Sequence, residues 1–397
     1  MLDSIYVGLT GLVGYSKSLK VISNNVANLN TPGFKSSQLQ FADLFYSTQG
    51  ANTATGDNTQ FGTGLNTLQT TFDFKQGEIR QTGNDLDVAV DGNGLFVLKT
   101  QQGELRFTRA GEFGFDSDGF LVSRATSERV MGLGQNGDLV DISLNGIQVS
   151  APKATTKISL TGNLSSTADQ DAVDGVKVID AGGAEHLLKL TFKNNSSTNT
   201  PGAWTVTVSD DKGDIGTGDI QFQNGAPDPA KASFTLNYAP AGATGTDITF
   251  DFSTNVTSFA AGTQSTLALS TQDGFAAGAL TKVSFDEQGN LVATYSNTQT
   301  AKSQRLALAN VERPDAALQA VGGNEFASQG TIPINFGAPA TDMFGKISSG
   351  NVEISNVDLS KEFSELIVTQ RGYQASSQVI STASELVQDL LDMHGKR

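Results

Sequence analysis

The chain has 397 residues, with 41 acidic against 26 basic side chains, a formal charge of −15, 38% hydrophobic residues and no cysteine. That length supports more than one core, and an acidic balance with no concentrated basic stretch argues against a nucleic-acid partner, because phosphate binding needs clustered cations. Without cysteine there are no disulfides, thiolate nucleophiles or Cys-ligated metals, and abundant glycine with only 17% charged residues points to turn-rich β structure.

The N-terminus lacks a basic region ahead of an unbroken apolar core, and Asp3 sits where positive charge is expected. No cleaved signal peptide is therefore expected. No apolar run of about 20 residues occurs, so no membrane-inserted helix is expected either. Leu2, Ile5, Leu9, Leu12, Leu19 and Val26 fall on a 3-4 spacing and predict an N-terminal helix with a heptad seam. Gly8, Gly11 and Gly14 weaken that helix by roughly 1 kcal/mol each relative to Ala, while allowing a neighbouring backbone to approach closely. "NNVANLNTPGFK" (24–35) closes it. Pro32 disfavours helix at Thr31, and Pro32-Gly33 suits the centre of a type II turn. Asn24, Asn25 and Asn28 fall off the apolar seam. In a tube of packed copies that face is expected to meet a neighbouring copy or the turn into the connector, where amides can both donate and accept; an intersubunit contact is the expectation adopted.

Residues 47–66, "STQGANTATGDNTQFGTGLN", are polar and Gly-rich and read as an extended connector. "LDVAVDGNGLFVL" (86–98) reads as strand, Asp-Gly/Asn-Gly turn, strand, in the manner of a hairpin. A short motif recurs as Gly119-Phe-Leu-Val122, Gly137-Asp-Leu-Val140 and Gly289-Asn-Leu-Val292, the first and third preceded by Phe115-Asp116 and Phe285-Asp286. These are expected to be similar turn-plus-strand units. The third lies far beyond the first two, and the region between is rich in Thr, Ser, Gly and Asn, with alternating stretches such as "WTVTVS" and "DITFDF". The simplest account is one β domain interrupted by another. At the far end, Leu359, Leu366, Tyr373, Ile380 and Val387 recur every seven residues, with Ala375, Val379, Ala383, Leu386, Leu390 and Met393 on an adjoining face. Two stripes suggest a helix packed on more than one side.

The expected fold is mainly β with α-helical termini and nested β domains. The boundaries are 1–28 plus 357–397 for a terminal helical domain that forms a coiled-coil-like arrangement on assembly, and 29–70 for the connector. The core β domain takes 71–150 plus 283–356, and the inserted outer β domain 151–282.

Chemistry is sparse. His186 and His394 are the only histidines, and neither has a metal-ligand partner at nearby spacing. Asp116-Ser-Asp118-Gly119 and Asp169-Gln-Asp171 through Asp174-Gly175 superficially suggest calcium loops. Neither supplies the Gly and Glu positions of an EF-hand, and Asp with Gly is ordinary turn chemistry. "DGNGLF" meets neither phosphate-loop pattern. A non-enzyme with no cofactor and no metal is expected.

Three blocks then resemble the bacterial flagellar rod and hook axial protein family: "ISNNVANLNTPGFK" (22–35), "FKQGEIRQTGNDLDVAVDGNGLFVL" with "FTRAGEFGFDSDGFLVSR", and "SNVDLSKEFSELIVTQRGYQASSQVISTASELVQDLL" (355–391). Rod-type members are similar at both ends but lack a large insert, so length and architecture favour the hook type. The resemblance implies a structural subunit that polymerises into a hollow, flexible helical tube, a universal joint carrying motor torque to the filament and enclosing the export channel. It implies a flagellar location outside the cell after type III export without signal cleavage. It also implies the distal rod, hook cap, hook-filament junction proteins and export apparatus as partners beside the chain itself. Assembly contacts are expected at Leu2, Ile5, Leu9, Leu12, Leu19, Asn24, Asn25, Val26, Asn28, Pro32, Gly33, Phe34, Leu359, Phe363, Leu366, Tyr373, Ile380 and Val387. A distal-rod-type protein, or a monomeric secreted β-rich adhesin whose helices pack on their own core, are the alternatives.

Overall fold

The structure, a computed structural model, describes residues 2–51, 58–330, 332–341 and 343–394. Strands dominate and one long helix stands near each end, Leu2–Ala27 and Leu359–His394. None of the described helices is long and apolar enough to cross a membrane. The chain divides into two compact units. One holds the residues up to Asn145, Val283–Val292 and those from Lys302 onward; the other holds Gly146–Lys282 and Ala293–Ala301.

In the first unit the C-terminal helix starts, and the N-terminal helix stops, for local reasons. Asp358 Oδ1 accepts the backbone N–H groups of Ser360 (2.8 Å) and Lys361 (3.2 Å), capping the C-terminal helix. The N-terminal helix ends where Asn28 N donates to Asn24 O (3.2 Å) and Thr31 N to Asn28 O (3.1 Å), immediately before Pro32. The two helices pair antiparallel through small and polar residues. A Cβ added at Gly8 would lie 2.7 Å from Ile380 Cγ1, one at Gly11 2.7 Å from Ser376 Oγ, and one at Gly372 2.5 Å from the Tyr15 ring. Further along, Ser18 Oγ meets Thr369 Oγ1 at 3.5 Å.

This corrects the heptad seam expected from the leucines. The stripe that packs is Gly8, Gly11, Tyr15, Ser18, because backbones approach most closely where side chains are absent. Leu9 is left 51% exposed, and Ile5, Leu12, Leu19 and Val26 are half-buried. Of the C-terminal positions, Ile380 meets Gly8, Leu366 and Val387 are half-buried, and Leu359, Phe363 and Tyr373 are exposed. The side chain of Leu2 lies outside the described residues.

The polar stretch after the helix is paired strand rather than extended connector. Ser37–Asp43 pairs antiparallel with Leu65–Phe72, and Tyr46–Ala51 with Asn58–Gly62. Its residues 52–57 lie outside the described residues. Thr is β-branched and favours strand whatever its polarity, so polarity hid the ladder. The first ladder packs on the N-terminal helix, with Leu65 N donating to Thr10 Oγ1 (3.1 Å) and Lys17 Nζ to Thr67 Oγ1 (2.8 Å).

The Asp-Gly/Asn-Gly turn exists, with Gly92 and Gly94 at φ +113° and +128°, but the strands flanking it do not pair with each other. Val88–Asp91 pairs with Lys346–Ser349, and Leu95–Lys99 pairs with Leu105–Thr108, Arg129–Leu133 and Leu308–Asn310. Leu105–Thr108 in turn pairs with Glu325–Ser328 of the Leu318–Ser328 hairpin. Val97, Phe107, Met131, Ala309 and Phe326 fill the core above these strands. The recurring turns match one another: Gly119 N donates to Asp116 O (3.1 Å), Gly137 N to Gly134 O (3.1 Å) and Gly289 N to Asp286 O (2.8 Å). Asp116 Oδ1 accepts two backbone N–H groups, those of Asp118 and Phe120, which is the work of a turn.

The second unit is two packed sheets. Gln170–Ile179, Glu185–Asn194, Ala203–Asp210, Gly213–Gln223 and Ala226–Pro227 lie in that order in one. Ser233–Tyr238, Thr246–Asp251, Lys157–Asn163 and Val256–Thr257 form the other, with Ala268–Gln272 also on Lys157–Asn163. Period-two alternation places Trp204, Val206 and Val208 from "WTVTVS", and Ile248, Phe250 and Phe252 from "DITFDF", in one shared core.

Replacing Gly372 with Ala isolates the helix seam. Intrinsic propensity alone favours Ala by roughly 1 kcal/mol, whereas the added Cβ would force the Tyr15 ring to shift and overpacking costs about 1–3 kcal/mol. The expected outcome is a lower melting temperature for loss of helical circular dichroism in Gly372→Ala; an increase would contradict the close seam.

Candidate functional site

The residues quoted at the outset, 24–35, converge on one buried junction at the roots of both helices. The turn closes with Phe34 N donating to Thr31 O (3.3 Å), Pro32 and Gly33 at its centre, and Gly33 at φ +70°. A Cβ on Gly33 would lie 2.2 Å from Ala110 N, so the backbone of 109–110 and the turn touch directly. Gly33 N donates to Glu353 O (2.8 Å), and Asn324 Nδ2 to Pro32 O (2.9 Å).

Beneath this turn three charges are buried together. Glu353 Oε1 accepts Lys35 Nζ at 2.6 Å and Gly77 N at 2.9 Å, and Oε2 accepts Arg109 Nη1 at 3.0 Å. The side chains of Lys35 and Glu353 are fully buried and that of Arg109 nearly so. Lys35 also donates to Lys75 O (2.6 Å), and Arg109 to Val90 O (3.0 Å) and Gly92 O (2.7 Å). Burial lowers the pKa values of Lys35 and Arg109, and Glu353 acts against this in both. Asn356 completes the clamp: its Oδ1 accepts Ser36 N (2.7 Å) and its Nδ2 donates to Asp73 O (2.7 Å) and Lys75 O (3.0 Å).

One turn of helix away, Asn25 is 2% exposed. Its Nδ2 donates to Ser37 O (2.8 Å) and Glu362 Oε1 (2.9 Å), and its Oδ1 accepts Ser37 N (3.0 Å). It therefore joins the N-terminal helix, the first strand and the C-terminal helix of its own chain. Burial raises the Glu362 pKa, and the Asn25 hydrogen bond opposes that shift. Asn25 is thus corrected from a contact with another copy to a contact within the chain. Gly33 and Phe34 are buried in the same junction and are corrected likewise. Asn28 Nδ2 donates to Asn24 O (2.9 Å), capping the helix end, while Asn24 itself is exposed.

Lys35, Arg109, Glu353, Asn356 and Glu362 were not singled out from sequence. Lone charges in apolar or glycine-rich settings, as in "PGFK", "FTRAG" and "NVEIS", are the signal that points to Lys35, Arg109 and Glu353; Asn356 and Glu362 carry no such signal. His186, on the strand Glu185–Asn194, braces the turn before it: its Nε2 lies 3.0 Å from Asp180 Oδ2, while Asp180 Oδ1 accepts Gly182 N and Ala184 N. The hydrogen bond to His186 holds the Asp180 pKa below its ordinary value. The side chain of His394 lies outside the described residues.

The helices leave large apolar side chains open among their exposed polar residues. Tyr6, Val7, Leu9 and Val13 on one, and Phe363, Ile367 and Val368 on the other, are exposed, Ile367 by 59% and Val368 by 68%. The junction is therefore a mount for a sticky pair of helices, with Lys35, Arg109 and Glu353 holding backbone and each other while Arg109 Nε and Glu362 Oε2 stay buried without a partner.

Asn25→Ala would leave the Ser37 backbone and the Glu362 carboxyl without their partner, a loss of about 1–3 kcal/mol. A drop in melting temperature is expected while the second unit keeps its β signature; an unchanged melting temperature would contradict the junction. Three family descriptions match in chain order: "Flagella basal body rod protein" over residues 5–35, "Flagellar hook protein FlgE/F/G D1 domain" over 89–166, and "Flagellar basal body rod FlgEFG protein C-terminal" over 348–393. The flagellar hook protein FlgE of Brucella suis is 31% identical, covering 97% of each chain. That of Borreliella burgdorferi is 29% identical over 98% of this chain and 99% of its own. The crystal structure of Helicobacter pylori FlgE2 superposes with a TM-score of 0.50 at 15% identity, over 70% of this chain and all of that one, and shares the fold. With relatives of that identity aligned along nearly their whole length, the chain belongs to the flagellar hook protein family.

Proposed function

We propose that this chain is the structural subunit of a bacterial flagellar hook, copies of which polymerise into a hollow, flexible tube that carries motor torque to the filament and encloses the export channel. The observation that carries the reading is the unpartnered apolar surface of the helix pair. A monomeric protein would turn such residues inward, and exposed patches of this kind mark interaction surfaces. The glycine seam consumes little apolar side chain, so the leucines and aromatics of both helices remain for other copies. Head-to-tail contacts between copies are heterologous, and repetition of such a contact builds an open helical array.

The proposed assembly surface takes in Ile5, Leu9, Leu12, Leu19, Val26 and Asn24 on the first helix and Asn28 just past its end. On the second it takes Leu359, Phe363, Leu366, Tyr373, Ile380 and Val387, joined by the exposed Ile367 and Val368. Pro32, half-exposed at the junction, sits at its edge. The distal rod, the hook cap, the junction proteins and the type III export apparatus are the further partners of this reading.

Two variants test it. A chain cut to 29–356 keeps Lys35, Arg109 and Glu353 and is expected to remain folded and monomeric. Ile367→Glu/Val368→Glu alters the exposed face without touching the seam, and is expected to melt like the parent while failing to polymerise. Negative-stain microscopy of concentrated protein reads both: tubes from the parent and none from either variant support the reading. Tubes from the double variant would contradict it, and collapse of 29–356 would favour a monomeric protein whose helices belong to its own core.

A further inference from the structure

With both carboxyls ionised, three buried polar oxygens on the first unit have no hydrogen-bond donor: Thr126 Oγ1, Glu128 Oε2 and Glu325 Oε1. Thr126 and Glu128 lie on the turn between Leu121–Ser123 and Arg129–Leu133, where Ser127 takes φ +59°. Glu325 opens the second strand of the Leu318–Ser328 hairpin and is 5% exposed. Glu128 stands two residues from Thr126 and Glu325 two from Gly323, and Thr126 and Gly323 touch, so the carboxyls face each other across the turn and the tip, and Glu325 acts on the Glu128 titration. Two carboxylates cannot bond to each other; one must bring a proton.

The hairpin tip beside this pair reaches the helix junction. Thr108 Oγ1 donates to Asn324 O (2.9 Å), and Asn324 Nδ2 donates to Pro32 O (2.9 Å). A Cβ on Gly323 would lie 3.0 Å from Thr126 Cγ2, so the turn and the tip touch.

We propose that Glu128 and Glu325 form a proton-shared latch. With one proton between them, the O–H of one carboxyl donates to the carboxylate oxygen of the other and ties the 124–128 turn to the 323–325 tip. When that proton is lost to water, two adjacent carboxylates repel and the tip loosens its hold on the Pro32 turn. Burial, the hydrogen bond to Glu325 and the charge of Glu325 push the Glu128 carboxyl from its ordinary 4.5 up to about 7. Arg106, on the strand Leu105–Thr108, is the cation facing Glu128 and acts the other way. It is itself engaged with Glu104 at 2.7 Å, and Arg129, the next cation along, is engaged with Asp141 at 2.8 Å. A raised folded-state pKa means that the latch contributes fully below 4.5 and is lost as pH rises through about 7. The latch is a property of the monomer, independent of the assembly reading.

Amide hydrogen exchange on the full-length monomer at pH 5.5 and 8.5, corrected for intrinsic exchange, tests it. Protection of residues 318–328 is expected to fall roughly tenfold or more at the higher pH in the parent. Glu128→Gln carries a neutral amide that donates to Glu325 at every pH, so its protection is expected to stay level. Glu325→Gln, which donates to Glu128 in turn, gives the same expectation and serves if the first variant fails to fold. Level protection in the parent, or an equal fall in parent and variants, would overturn the latch.

Discussion

Everything at the base of the two helices hangs on one carboxylate. Glu353 meets Lys35 from the turn that ends the N-terminal helix, Arg109 from the core strands, and Gly77 from the chain just past the first ladder. It stands six residues before the C-terminal helix begins at Leu359. A buried pair is weak evidence of stability in itself, because desolvation offsets the Coulomb attraction; breaking it is what is costly, at about 3–5 kcal/mol. The physical consequence is geometric. Two chain ends separated by more than three hundred residues are brought to one point and given one direction of departure, and Asn25 and Glu362 extend that alignment into the first turns of the helices. For a subunit that hands force from copy to copy, a mount with a single allowed geometry is the relevant property.

Above the mount, the seam and the surface divide the work. Helices that packed through leucine would bury the side chains that the proposed assembly uses. Packing through Gly8, Gly11 and Gly372 lets the backbones approach and leaves the apolar residues outside. The glycines lower the intrinsic stability of the helix, a loss that contacts with other copies would offset in the proposed assembly. The carboxyl pair at Glu128 and Glu325 touches the same region from the hairpin side through Asn324.

Much of this was legible in the sequence. Seven-residue recurrences placed both helices, the Gly-x-Leu-Val motifs placed matching turns, and "WTVTVS" and "DITFDF" placed core strands by simple alternation. The failures share a cause: they concern which partner an element takes, and local periodicity is silent on that. Val88–Asp91 and Leu95–Lys99 look like a hairpin but pair with strands far along the chain. The polar ladder at 37–72 escaped because its alternation is written in Thr, Ser and Asn. Asn25 was recognised as unusual and given the wrong neighbour, since a buried amide and an exposed one read alike in sequence. Lys35, Arg109 and Glu353 are three lone charges in three distant segments, and only the fold brings them together.

The claim that Glu353 fixes both helix roots is tested most directly by amide hydrogen exchange on the Glu353→Gln monomer. The account predicts that residues 33–37 and 353–357 lose protection together, while 185–194 and 203–210 in the second unit keep theirs. Wild-type protection in both root segments, or loss in one root alone, would contradict it.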